Sequence, residues 1–99
     1  MQISDFRQSL SEAAPPSTLA PPLIALWHAG KGDWQCAHAV VQEEDDTDSA
    51  WVHAYLHRQE GDLANAGYWY RRASKPMFNG SLDDEWAAIA GALLLPKRQ

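Results

Sequence analysis

The chain has 99 residues, enough for one hydrophobic core but not for two. Hydrophobic residues make up 45% of the sequence, and five Trp, three Tyr and two Phe are among them, a composition that favours a folded chain over a disordered one. The formal net charge of −5 repels a phosphate backbone, and no apolar stretch reaches the roughly 20 residues of a membrane-spanning helix, so we expect neither nucleic acid nor a membrane as a partner.

A lone cysteine and a polar start are the remaining general features. Cys36 has no second cysteine to pair with, which excludes an intramolecular disulfide and suits a reducing compartment. The first residues, MQISDFR, lack the pattern of a secretory signal peptide. We therefore expect a soluble, cytoplasmic protein in which residues 1–99 form a single domain.

The first half of the chain predicts an N-terminal helix and then a pair of helices. Apolar residues recur at helical spacing over residues 3–14, and two prolines end this N-terminal segment, residues 1–16. Residues 21–44 form a first unit of two helices separated by the sequence GKGD at residues 30–33. Glycine there supplies the left-handed residue that ends a helix, and aspartate caps the next one, so we expect a tight helical hairpin.

A second unit, residues 48–76, follows the carboxylate-rich run EEDDTD and repeats the same signal. Gly61 lies 29 residues after Gly32, and matched alanines flank both turns, as expected where two helices approach closely. In its second helix we expect four side chains to face inward: Leu63, Ala66, Tyr70 and Ala73. Residues 81–96 then predict a C-terminal capping helix that begins with Ser81 as its cap.

The second unit resembles the tetratricopeptide repeat family. Its sequence GDLANAGYWYRRA carries the residues that match the family pattern: Gly61, Asp62, Ala66, Trp69, Tyr70 and Ala73. The first unit keeps the start of this pattern in GDWQCA, but the repeat is 29 residues long instead of about 34, and His53 stands where the family has leucine. The resemblance implies an all-α fold of two antiparallel helical hairpins, with the N- and C-terminal helices acting as caps.

The resemblance also implies a concave binding groove formed by the first helix of each unit. Its residues are Pro22, Leu26 and Ala29 in the first unit and Asp48, Trp51, Tyr55, Arg58 and Gln59 in the second. Trp51, Tyr55 and Arg58 lie on one helix face, and exposed aromatic residues beside an arginine are typical of binding hot spots. Our first hypothesis is therefore a non-enzymatic scaffold that binds a protein or peptide and needs no cofactor. The alternatives are that Trp51 packs under the N-terminal helix or makes a homodimer contact.

The histidines support a second hypothesis, a metal site. His53 and His57 are four residues apart, so both imidazoles can reach one zinc or nickel ion, and His28 occupies the place in the first unit that matches His57. These three ligands would leave one coordination position open, as in a metal-binding protein or a small metal-dependent enzyme. The alternative is that these rings, together with His38, fill the core and hydrogen-bond locally.

Three further features are interpreted as structural. Tyr70 is assigned to the core and the neighbouring Arg71 and Arg72 to the negative end of a helix dipole, rather than to a surface that binds nucleic acid. The run EEDDTD at residues 43–48 lacks the ligand spacing of a calcium loop. Cys36 has no neighbouring base in the sequence, so nucleophilic catalysis is not expected.

Overall fold

The computed structural model describes residues 1–95, which contain α-helices and no strand. The helices are α1 (Ile3–Ser9), α2 (Pro21–Gly30), α3 (Trp34–Val41), α4 (Thr47–Gln59), α5 (Leu63–Ala73) and α6 (Leu82–Leu94). The predicted all-α class is confirmed. No helix within these residues is both long and apolar enough to cross a bilayer. The last residue predicted for the C-terminal helix, Pro96, lies outside the described residues.

Two turns of the same geometry connect α2 to α3 and α4 to α5. Gly32 and Gly61 have φ angles of 83° and 87°, in the left-handed region that glycine adopts without strain. Asp33 and Asp62 follow these glycines directly, and the carboxylate of each accepts a hydrogen bond from the backbone N–H three residues further on. The predicted stop and start signal is therefore confirmed in both units.

Helix α4 lies at the centre of the packing. It contacts α2, α3, α5 and α6, while α1 packs on α6 and α2 packs on α3. Because neighbours cover α4 on several sides, the side chains of residues 52–57 are all buried, including two histidines and a tyrosine. Buried polar groups need hydrogen-bond partners inside the protein, so clusters of polar side chains are expected around α4.

The N-terminal helix is shorter than the sequence pattern predicts. It ends at Ser9 instead of residue 14. The amides of residues 10–12 each bond the carbonyl three residues earlier, so hydrogen bonds of the 3₁₀ type replace those of the α-helix there. Ala14, expected on the inner face, is exposed. The residue before a proline is disfavoured in the helical region, which adds a local reason for the early end.

The inner face of α5 is confirmed except at its first residue. Ala66, Tyr70 and Ala73 are buried as predicted, whereas Leu63 is 57% exposed. Leu63 opens the helix directly after its cap, where no neighbouring element covers it. Apolar spacing alone does not distinguish a residue at the covered end of a helix from one at the open end.

A buried ionic network joins α4, α5 and α6. The guanidinium of Arg58 donates to the Glu85 carboxylate, with Nη1 and Oε1 2.9 Å apart, and its Nη2 donates to the Gly80 carbonyl. The second oxygen of Glu85 accepts a hydrogen bond from the Tyr70 hydroxyl. Glu85 is fully buried, and burial together with this hydrogen bond raises the pKa of Tyr70, so the hydroxyl remains a donor. Each charge in the network is thus compensated.

We expect Arg58→Met to lower the free energy of unfolding by about 3–5 kcal/mol, because it leaves the Glu85 carboxylate buried without a cation. Urea unfolding followed by circular dichroism measures this loss. The double variant Arg58→Met/Glu85→Gln removes the buried charge, keeps an acceptor for Tyr70, and should recover more than half of the lost stability. The exposed Arg71→Met is the control, with a change within about 0.5 kcal/mol. A double variant as unstable as Arg58→Met would contradict the explanation.

Candidate metal centre

Three histidines converge between α3 and α4. His38 lies on α3, while His53 and His57 lie on α4, and one ring nitrogen of each is within 4.8 Å of the corresponding nitrogens of the other two. The Nε2 atoms of His38 and His53 are 3.0 Å apart, a hydrogen bond in which one ring donates and the other accepts. We call these three residues the histidine triad.

The two helices bring the triad together through local spacing and one tertiary hydrogen bond. His53 and His57 are one turn apart on α4, and their rings stack with centroids 4.9 Å apart. On α3, His38 follows Trp34 by one turn, and the two rings stack at 4.7 Å with an angle of 8° between them. The Trp34 indole N–H donates to the Leu56 carbonyl at 2.8 Å, which fixes this face of α3 against α4.

Two indoles enclose the triad. Trp34 covers His38, and Trp69 of α5 stacks on His53 with ring centroids 3.9 Å apart and an angle of 12°. His53 and His57 are 4% and 6% exposed, whereas His38 is only partly buried. The imidazoles are therefore held in fixed orientations, and His38 lies on the accessible side of the triad.

Glu60 orients the third imidazole. Its Oε1 lies 2.6 Å from Nδ1 of His57, so the carboxylate accepts the Nδ1–H hydrogen bond and Nε2 remains available to the triad. A carboxylate that bonds the outer nitrogen of an imidazole is the usual support of a metal-ligating histidine. Glu60 itself is the C-terminal cap residue of α4, so its backbone is fixed by the turn at Gly61.

The triad favours uncharged imidazoles. Burial, together with smaller contributions from the neighbouring His38 and His57 rings, lowers the pKa of His53 to about 4. Burial also lowers the pKa of His38, with a contribution from His57. Near pH 7 these two rings are neutral, which is the form that binds metal ions. Nδ1 of His53, opposite the Nε2 that meets His38, is buried without a hydrogen-bond partner in the described part of the chain, as is the Ser49 hydroxyl on the same helix, and each such group costs about 1–3 kcal/mol.

Another group of potential ligands lies on the first unit but is less suited to a metal ion. The ligand atoms of His28, Asp33 and Cys36 are also within 4.8 Å of one another, and two of these residues are exposed. The Asp33 carboxylate already caps α3, and its hydrogen bond raises the pKa of the Cys36 thiol. Metal binding requires the thiolate, and a raised pKa makes the thiol harder to deprotonate, so this group is less suited to a metal ion.

The structure brings together two of the three predicted metal ligands and replaces the third. His53 and His57 meet, but His28 lies beside the first turn with Asp33 and Cys36, and His38 takes its place. Matching positions in consecutive units each remain beside their own turn, so the match between His28 and His57 does not make them neighbours. The one-turn spacing between Trp34, predicted to face inward, and His38 is the signal in the sequence that could have identified the third ligand.

The predicted binding groove is only partly accessible. Asp48 and Trp51 are partly buried and Gln59 is exposed, and the Lys75 ammonium lies 4.3 Å from the centre of a Trp51 ring. The expectation that Tyr55 and Arg58 stand on an open face is wrong. Tyr55 is 4% exposed, and Arg58 is engaged by Glu85. The physical reason is that α6 packs against α4 on this side.

No family model, curated protein or solved structure matches this chain. The tetratricopeptide-like interpretation therefore stays a prediction, based on the residues of the second unit and on the two turns of equal geometry.

The metal-free protein should lose stability as the pH falls from about 6.5 to about 4. The folded-state pKa of His53, about 4, lies below the ordinary histidine value of 6.5, so the contribution of His53 to stability is fully present above pH 6.5. Between these pH values His53 binds a proton in the unfolded chain but not in the folded chain, which favours unfolding. Urea unfolding midpoints measured across this range test the expectation.

The variant His53→Phe keeps a ring against Trp69 but cannot titrate, so its unfolding midpoint should fall less steeply with pH. His28→Gln, outside the triad, is the matched control and should follow the unmodified protein. Equal slopes for His53→Phe and the unmodified protein would show that burial of His53 does not set this dependence.

Proposed function

We propose that this chain binds a divalent transition metal ion, zinc or nickel, through His38, His53 and His57. The observation that carries the proposal is the convergence of three imidazole nitrogens within 4.8 Å. Tetrahedral zinc holds nitrogen ligands at about 2.0–2.1 Å, which places the nitrogens about 3.3 Å from one another. The Nε2 atoms of His38 and His53 are already 3.0 Å apart, and the three ligand nitrogens lie within 4.8 Å of one another, so an ion would have to shift the nitrogens only slightly.

The chemistry of the donors supports the same class of ion. The triad offers imidazoles only, a donor type that suits zinc, copper and nickel and not magnesium or calcium. His53 and His38 have lowered pKa values, so few protons have to leave when a metal ion binds near pH 7. Trp34, Trp69 and Glu60 hold the rings in place beforehand, which reduces the entropy lost on binding.

The peptide-binding hypothesis stays a prediction, restricted to the accessible part of the predicted groove. Asp48, Trp51 and Gln59 are the groove residues that a peptide or a second copy of the chain could reach. Trp51→Ala tests both partners: loss of capture from a cell extract supports a peptide or protein, and loss of a dimer in sedimentation supports self-association. Arg58→Ala is unsuited to this test, because it would leave the buried Glu85 charge unpaired.

Dialysed protein should bind one zinc ion per chain with a rise in melting temperature. Isothermal titration calorimetry and thermal unfolding measure the two effects. His38→Gln and His57→Gln should weaken binding more than Glu60→Gln, which keeps a hydrogen-bond acceptor for His57 and should cost about 10–100-fold. His28→Gln should bind zinc like the unmodified protein.

Circular dichroism of each variant shows whether it is folded before its affinity is compared. Folded His38→Gln that retains full zinc affinity would refute the site, as would loss of binding in His28→Gln. The second result would assign the ion to the group around Cys36 instead.

A further inference from the structure

The number of donors leaves one position of the proposed metal ion without a protein ligand. Tetrahedral zinc has four ligands, and within residues 1–95 the triad supplies three. The carboxylates of Glu60 and Asp62 lie near His57, but Glu60 is already bonded to Nδ1 of His57 at 2.6 Å and Asp62 caps α5. A fourth ligand must therefore come from solvent or from another molecule.

The burial of the triad indicates where this position opens. His53 and His57 are 4% and 6% exposed and are covered by Trp69 and by the body of α4, so they close the inner side. His38 and its stacking partner Trp34 are partly exposed. The open position therefore faces solvent beside His38.

Charge determines which ligand this position prefers. Neutral imidazoles do not compensate the two positive charges of the ion. The Glu60 carboxylate, bonded to His57, supplies one negative charge nearby and so compensates one of the two. A net positive charge remains at the mouth of the site, although the protein as a whole carries a formal charge of −5. Zinc accepts carboxylate oxygen at about 2.0–2.2 Å, so a small carboxylate satisfies both the charge and the donor type.

Resting on the metal site proposed above, we infer that the bound ion takes a carboxylate from outside the chain as its fourth ligand, at the position that opens beside His38. The ligand is a small free carboxylate or the carboxylate at the end of a peptide. Both sources present the same chemistry to the metal, and the experiment distinguishes them.

The test uses the full chain loaded with cobalt(II), whose visible absorption reports the number and type of ligands. Acetate should change the spectrum in a saturable manner, and sodium perchlorate at the same ionic strength should not. A tripeptide with a free C-terminus should act like acetate or bind more tightly if peptides are the source, whereas its C-terminally amidated form should have no effect. His28→Gln is the control and should behave like the unmodified protein.

Glu60→Gln sharpens the test, because it removes one negative charge and keeps a hydrogen-bond acceptor for His57. The cobalt-loaded variant should bind acetate about three- to tenfold more tightly than the unmodified protein. A merely structural role of Glu60 would leave acetate affinity unchanged. If cobalt binds but neither acetate nor the free peptide alters the spectrum, the inference is wrong and the metal site stands. If cobalt does not bind, the metal site itself is refuted.

Discussion

The burial of α4 is the constraint on which the rest of the structure depends. Neighbouring helices contact it from several directions, so its polar side chains must be satisfied inside the protein or leave an uncompensated cost. Two polar clusters result. At one, Arg58 is bonded to Glu85; at the other, His53 and His57 meet His38 from α3. The packing of the whole chain thus determines where polar chemistry is concentrated.

These two clusters differ in a way that separates structure from function. In the ionic network, the guanidinium of Arg58, both oxygens of Glu85 and the Tyr70 hydroxyl all have partners, so nothing remains available to a ligand. In the histidine triad, lowered pKa values keep His38 and His53 neutral near pH 7, one buried nitrogen of His53 has no partner in the described residues, and the His38 ring reaches solvent. A satisfied cluster stabilises the fold, whereas an incompletely satisfied and accessible one is suited to binding.

The features that the sequence predicts correctly depend on nearby residues. The turns at Gly32 and Gly61 and the caps at Asp33 and Asp62 are local, and so is the helical spacing that buries Ala66 and Tyr70. The features that it misses depend on contacts between distant elements. Arg58 meets Glu85 across 27 residues once α6 packs on α4, and His38 joins the site because one particular face of α3 turns towards α4. Periodicity within one helix does not show which faces of two helices meet, so His53 and His57 were predictable as a pair, whereas the one-turn spacing from Trp34 was the one local signal for His38.

The C-terminal cap residues of α2 and α4 occupy the same position in the two turns but have different tasks. In the first unit this residue is Lys31, whose ammonium donates to the carbonyls of Leu10 and Glu12 and so ties down the segment after α1. In the second unit it is Glu60, whose carboxylate aligns His57. The same turn geometry therefore carries a cation in the first unit, which holds the segment after α1, and an anion in the second unit, which orients His57. His28 stands in the same register as His57, but its turn carries Lys31 where the second turn carries Glu60, and the carboxylate near it, that of Asp33, caps α3.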